Sequence, residues 1–206
     1  MVCFSGALRP SPAPYYNIVG KIMIIKNKLE SIDKINELGL NKFPEILCHS
    51  NDAKRVTQFI QDYPAQYYAI RDKSKAGGFF NLKVNRDNVL IAIQGLESYT
   101  INVSSANYVD DQLLVGEIEF LSNCEVYGIL STDPTASVRD ATKNPTYNFK
   151  TNIFDKKLNN IPHFDIVYEY IVSHCLQDTI VEFALFDKPV GINEENIIIY
   201  ELRTHY

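Results

Sequence analysis

The sequence predicts an α+β protein built as two lobes of mixed, mainly antiparallel sheet packed with helices. Three observations carry this expectation. Two amphipathic helical patterns come early, strand-like runs come in adjacent pairs around short loops, and the chain closes on two apolar strands, VEFALFDKPVGINEENIIIYELR, residues 181–203. The strict alternation of strand and helix that a doubly wound parallel sheet requires is missing.

Residues 1–21 carry three prolines and lack the sustained apolar stretch of a signal peptide, so they read as a flexible N-terminal tail. NKLESIDKINELGL then sets Leu29, Ile32, Ile35 and Leu38 at helical spacing before Gly39, a helix stop. NDAKRVTQFIQDYP repeats the pattern, with Ser50 or Asn51 as cap, Ala53, Val56, Phe59 and Ile60 as the inner stripe and Pro64 beyond the end. QYYAIR and FFNLKV flank DKSKAGG, which predicts a hairpin with a basic, glycine-bearing tip. NVLIAIQGL predicts a short helix and SYTINVSS a half-buried strand. QLLVGEIEFL and CEVYGILS predict a strand pair turning around Ser122 and Asn123.

Residues 132–160 are polar, with prolines at 134 and 145, and read as a long functional loop. IPHFDIVYEYIVSHCLQD aligns Phe164, Val167, Tyr168, Ile171 and Cys175 on one helical face. The last two strands predict a hairpin with Glu182 opposite Glu201, 184 opposite 199 and 186 opposite 197. The lobe boundaries expected from this order are 22–114 and 115–206.

Composition narrows the function. The 206 residues are 46% hydrophobic and 22% charged, enough to bury a sizeable core. A net charge of -5 argues against a broad nucleic-acid surface. Cys3, Cys48, Cys124 and Cys175 lack CxxC spacing and are expected to be reduced, mostly buried thiols, and the four histidines lack metal-ligand spacing. No apolar run approaches the about 20 residues of a membrane helix. A soluble protein is expected, with the cytoplasm as the default compartment and no membrane partner.

Three groups of residues can carry chemistry. In AIRDKSKAGG, Arg71, Lys73 and Lys75 supply countercharge for a polyphosphate, and Gly77 and Gly78 allow backbone N–H groups close to an anion. The same residues also fit an ordinary hairpin turn. In VGEIEFL, Glu117 and Glu119 share a strand face where a carboxylate can accept from a ribose hydroxyl, or simply face water. Glu182 and Glu201 share a face of the terminal hairpin, and like charges directly opposite are unfavourable there. Either a magnesium ion or Arg203, reaching diagonally, can offset that repulsion.

The order of these groups resembles the ATP-grasp family. NKLESIDKINELGLNKFPE, residues 27–45, is similar to the family's helical lead-in, and YYAIRDKSKAGGFFNLKV is similar to its strand, glycine-rich loop and return strand over the phosphates. LVGEIEFL followed by CEVYGIL resembles the acidic strand near adenosine, and VEF and YELR resemble the late acidic strands that hold magnesium. The resemblance covers roughly residues 27–203. It departs at Arg71, where the family has lysine, and at Arg203, where it has asparagine.

That resemblance implies an ATP-dependent ligase that activates a carboxylate as an acyl phosphate for attack by an amine or other nucleophile, with ATP and magnesium as cofactors. It implies Arg71, Lys73, Lys75, Gly77 and Gly78 on the phosphates, Glu117 and Glu119 near adenosine, and Glu182 and Glu201 on magnesium. Arg139, in SVRDATKN, and Arg203 are the implied acceptor-binding or phosphate-transfer residues. The implied partners are a nucleotide and a small-molecule acceptor. The family's usual preceding domain has no room in this length, which implies a reduced, divergent member whose acceptor site a protein partner or second subunit completes. A catalytically inactive nucleotide-binding domain, or an α+β protein-interaction domain, is the alternative.

Overall fold

The computed structural model describes residues 24–25, 28–73 and 80–204. The expected N-terminal tail lies outside them, as do Cys3, Lys75, Gly77, Gly78 and His205. Helix α1, Lys28–Glu37, leads into strand β1, Glu45–His49, and helix α2, Ala53–Asp62. Strands β2, Tyr67–Asp72, and β3, Phe80–Asn85, follow, then the short helix α3, Val89–Ala92, and strand β4, Ser98–Val103. These four strands form one antiparallel sheet in the order β1-β4-β2-β3. Its buried face, with Tyr68, Ile70, Tyr99 and Ile101, packs with Val56, Phe59 and Ile60 of α2.

The second sheet comprises β5, Gln112–Phe120, β6, Glu125–Ser131, β7, Tyr147–Asn152, β8, Ile180–Val190, and β9, Glu195–Arg203. Its order is β7-β6-β5-β8-β9, again antiparallel throughout. Helix α4, Val138–Lys143, precedes β7, and helix α5, Phe164–Ser173, precedes β8. Val167 and Ile171 of α5 are buried with Leu114, Ile118 and Phe120 of β5 and Val181, Phe183 and Leu185 of β8. The Phe120 ring lies 5.7 Å from Phe164 and 5.3 Å from Tyr168. Burying one such apolar side chain stabilises by about 1.5–3 kcal/mol. The α+β class and the two antiparallel sheets agree with the sequence.

Alternation of side chains gives the second sheet two different faces. Leu114, Ile118 and Phe120 of β5 enter the core under α5, whereas Val115 enters the core of the first sheet. Strand β8 divides likewise, since Val181, Phe183 and Leu185 join one core and Ala184 and Phe186 the other. Gly116 sits on β5 at a positive φ of 152°, and a Cβ there would overlap the carbonyl oxygen of Ile129 on β6. Only glycine admits that close approach of the two backbones.

A buried carboxamide ties the two ends of the chain together. Asn41 is inaccessible to solvent, and its Nδ2 donates to the carbonyls of Val190 at 2.8 Å, Glu195 at 3.2 Å and Ile197 at 2.9 Å. Its Oδ1 accepts from the backbone N–H of Asn193 at 2.9 Å. One side chain thereby satisfies backbone groups around the β8–β9 turn, which would be costly to leave unpaired. Helix α1 lies against the β9 edge, where the Leu202 N–H donates to the Ser31 hydroxyl at 2.7 Å. This cover protects an otherwise open sheet edge.

Several expectations need correction. Residues 132–160 are not a long loop: Ser137 and Asp140 form a reciprocal capping box that starts α4, and YNFKTN pairs with β6 as edge strand β7. Gly128 makes room for the Phe149 ring there, since a Cβ would overlap it. Strand β1, five residues of EILCH, has too short a pattern to stand out from its surroundings. The cap of α2 is Asp52 rather than Ser50 or Asn51, and its Oδ2 accepts from the His49 N–H at 2.9 Å. Ala53 is exposed rather than part of the inner stripe.

Cys48 is buried, but Cys124 is half-buried and Cys175, in the turn that follows α5, is exposed. In the terminal hairpin Glu182 does oppose Glu201, but a register shift follows at once: Phe183 opposes Ile199 and Ala184 opposes Ile198. Tyr200 is the extra residue of a β-bulge, so the expected 184–199 and 186–197 pairs do not form. Among the described residues, no helix is long and apolar enough to cross a membrane.

Candidate functional site

A cleft of about 580 Å³ opens between the two sheets. Its charged lining comes from separate elements: Lys28 from the start of α1, Lys42 from the segment before β1, Glu45 from β1, Arg71 and Lys73 from the end of β2, Arg139 and Asp140 from α4 and Glu182 from β8. Thr100 and Asn102 of β4 add polar groups, and Val115, Ile199 and Tyr200 an apolar floor. Lys42 is paired with Glu45 at 2.6 Å. Among the described residues, Arg71, Lys73 and Arg139 have no carboxylate within ion-pair distance. Among the described residues, the lining's cations, Lys28, Lys42, Arg71, Lys73 and Arg139, outnumber its carboxylates, Glu45, Asp140 and Glu182, in a protein of negative net charge. Such a cleft focuses the field on an anion.

Local packing fixes these cations. The Arg71 guanidinium lies 4.4 Å from the centroid of the Phe80 ring across the β2–β3 pair, a cation–π contact that orients the side chain. Lys73 follows β2 directly, and its N–H donates to the Ser98 carbonyl at 2.7 Å. Burial lowers the Lys73 ammonium pKa, and the charges of Arg71 and Lys28 lower it further. An arriving anion would reverse part of that penalty. Arg139 is carried by α4, whose capping box anchors it at Ser137 and Asp140, while Gln112 donates to the Ala136 carbonyl at 2.9 Å just before that box. Burial also raises the pKa of the Tyr200 phenol, which hydrogen-bonds Ser105.

Beside the cleft stands a row of three carboxylates. Glu117 on β5 is the Cα partner of Glu182 on β8, and Glu182 is the partner of Glu201 on β9. Neighbouring strands lie about 4.7–4.9 Å apart, so three like charges stand side by side on one sheet face. Two cations cover them. Arg203 Nη2 lies 2.8 Å from Glu117 Oε1 and 3.1 Å from Glu182 Oε1, and Lys28 Nζ pairs with Glu201. Burial, with the Glu201 charge second, raises the Glu182 pKa, and Arg203 opposes the shift.

No protein-family model matches the chain, and no curated protein matches it. Solved structures do match. The macrocyclase MdnC bound with precursor peptide MdnA from Microcystis aeruginosa MRC aligns at 15% identity and a TM-score of 0.45, over 85% of this chain and 49% of that one. D-alanyl-alanine synthetase A from Vibrio cholerae aligns at 13% identity and 0.44, over 86% and 55%. The ADP complex of N5-carboxyaminoimidazole ribonucleotide synthetase aligns at 11% identity and 0.45, over 87% and 45%. The chain spans about half the length of these structures. At such identities and scores the likeness is one of chain course, and no residue role is taken from it.

The geometry brings together part of the residue set that the sequence singles out. Arg71, Lys73, Arg139 and Glu182 line one cleft. Glu201 and Arg203 adjoin it through Lys28 and Glu182. Glu117 is engaged by Arg203, and Glu119, next along that face, is 4% exposed opposite Tyr127 of β6. Neither belongs to the cleft lining. Lys75, Gly77 and Gly78 lie outside the described residues. Lys28, Lys42 and Asn102 also line the site and went unnoticed in the sequence. Lys28 and Lys42 lie within the stretch 27–45, where a lysine reads as ordinary solvated surface.

The carboxylates do not fit magnesium as they stand. Magnesium requires oxygen donors at about 2.0–2.1 Å in near-octahedral array. Here one guanidinium nitrogen already bridges Glu117 and Glu182, and an ammonium holds Glu201. Arginine cannot itself ligate a metal. Among the described residues, no group of three or more His, Cys, Asp and Glu side chains is arranged to hold a metal ion.

Proposed function

We propose that the protein binds ATP in the cleft between its two sheets, with the phosphates on Arg71 and Lys73, and serves an ATP-grasp-like ligase reaction. The observation that carries the binding reading is the excess of cations over carboxylates in one cleft, with Arg71, Lys73 and Arg139 outside any ion pair among the described residues. A triphosphate supplies negative charge to balance that excess. Lys75, Gly77 and Gly78, next in the chain, have the composition to extend the phosphate contacts with ammonium and backbone N–H groups.

The reaction implied by the resemblance is stepwise. A substrate carboxylate oxygen attacks the γ-phosphorus, the bond to the β-phosphate oxygen breaks, and ADP leaves. An amine then attacks the acyl carbon, phosphate departs with the bonding pair, and the amine loses a proton. This chain's contribution would be positioning and charge neutralisation, which dominate phosphoryl transfer. Arg139 would face the acceptor, and a protein partner or second copy of the chain would complete that side of the site.

A second reading, nucleotide binding without turnover, is favoured by the Arg203 contacts to Glu117 and Glu182, which occupy the carboxylates a metal would need. The experiment has two stages. Isothermal titration with ATP should give measurable affinity in the wild type and about tenfold weaker affinity on losing one charged contact, as in Arg71→Ala. ADP release in the presence of pooled carboxylates and amines then separates the ligase from the binding protein. Absence of ATP binding with or without magnesium would sink both readings.

A further inference from the structure

We infer that Arg203 is a built-in replacement for a divalent metal, so that anion binding in the adjoining cleft is metal-independent. This rests on the nucleotide reading for the identity of the anion and on the carboxylate row for everything else. Glu117, Glu182 and Glu201 stand in consecutive register on β5, β8 and β9, a row of like charges that needs a compensating cation. Arg203 Nη2 occupies the shared position between Glu117 and Glu182 at 2.8 and 3.1 Å, and Lys28 takes the third carboxylate. Two fixed charges from the chain thus supply what one metal ion would.

The replacement has a structural reason. Glu201 and Arg203 lie two apart on the edge strand β9, so they share a face, and Arg203 reaches back across the sheet to the two inner carboxylates. Its own backbone pairs with Ile180 at the end of the β8–β9 ladder, which holds the side chain at a defined height above Glu182. A covalently tethered guanidinium avoids the loss of translational freedom that a free ion incurs on binding. Glu182 and Lys28 also line the cleft, so the neutralised row meets the cleft at these two residues. An anion then meets protein cations already in position.

The test has two independent arms, both on the full-length protein. In the first, manganese binding without nucleotide is followed by electron paramagnetic resonance. The wild type should leave the ion free, whereas Arg203→Gln, which exposes Glu117 and Glu182 to each other, should bind it at least about tenfold more tightly. In the second, ATP affinity is measured with excess magnesium and with chelator. The wild-type values should agree within about threefold, and magnesium should strengthen binding to Arg203→Gln. If Arg203→Gln does not fold, Arg203→Lys keeps a charge but loses the planar fork, and should show a weaker gain of manganese binding.

Wild-type manganese binding that disappears in Glu182→Gln would overturn the inference, as would wild-type ATP binding lost on chelation. If ATP binds under neither condition, the nucleotide reading fails while the manganese arm still decides the role of Arg203.

Discussion

Glu182 and Glu201 are direct cross-strand partners, two carboxylates facing one another at the last in-register step before the β-bulge. Burial raises the Glu182 pKa above the ordinary value of 4.5, and the Glu201 charge raises it further. A group with a raised folded-state pKa contributes stability that is fully present below its unfolded value and is lost as pH rises through the folded value. Wild-type protein should therefore lose stability relative to Glu182→Gln on passing from about pH 4 to about pH 8. Urea unfolding of both proteins across that range measures it. Parallel pH profiles would show that Glu182 titrates normally.

Arg71 is held by Phe80, and Lys73 by its backbone hydrogen bond, so removing their charges should change binding with little change in fold. Each of Arg71→Ala and Lys73→Ala should weaken ATP binding about tenfold or more, the usual scale for one charge-assisted contact. Both should stay within about 1 kcal/mol of wild-type stability, because neither has an ion-pair partner within reach among the described residues. Calorimetric titration and thermal unfolding on the same samples give both readings. A loss of stability without a loss of affinity would assign the pair to the turn rather than to the ligand.

Asn41 predicts the opposite pattern. Asn41→Leu removes donors from three backbone carbonyls and an acceptor from the Asn193 N–H, all near the β8–β9 turn. At about 1 kcal/mol per lost hydrogen bond, and more for buried groups left unpaired, destabilisation of about 3 kcal/mol or more is expected. Denaturant midpoints check it. A shift below about 1 kcal/mol would mean that water replaces the carboxamide.

Gly116→Ala should be among the most damaging single-methyl additions in the chain. The new Cβ would overlap the Ile129 carbonyl oxygen, and the positive φ is unfavourable for any side chain. Overpacking against a backbone atom that cannot rotate away costs about 3 kcal/mol. The expected result is a marked fall in unfolding midpoint, with lost amide protection confined first to β5 and β6. Gly39→Ala is the comparison: its φ is also positive, but no atom lies within 4 Å of the added carbon.

The sequence made the hairpins legible because their apolar alternation is local. The β5–β6 turn, the β8–β9 pairing at Glu182 and Glu201, and the helical stripe of Val56, Phe59 and Ile60 all follow from short-range pattern. What stayed hidden depended on which strands lie side by side. Periodicity puts Glu117 on a face but does not say that β8 is its neighbour, so its contact with Arg203 was not foreseeable. Strand β7 was hidden by composition, since YNFKTN is mostly polar and gains its place from Phe149 settling over Gly128. The bulge at Tyr200 was hidden because that tyrosine continues the apolar run.

The alternation of β8 between two apolar interiors has a mechanical consequence. Phe183 and Ala184 are consecutive residues, yet each belongs to a different interior, so the strand acts as a party wall. Neither side can come apart while the other keeps that wall in place. The protein should accordingly melt in one step, and an anion gripped on the cleft side would be felt by amides under α5, on the far side of the sheet.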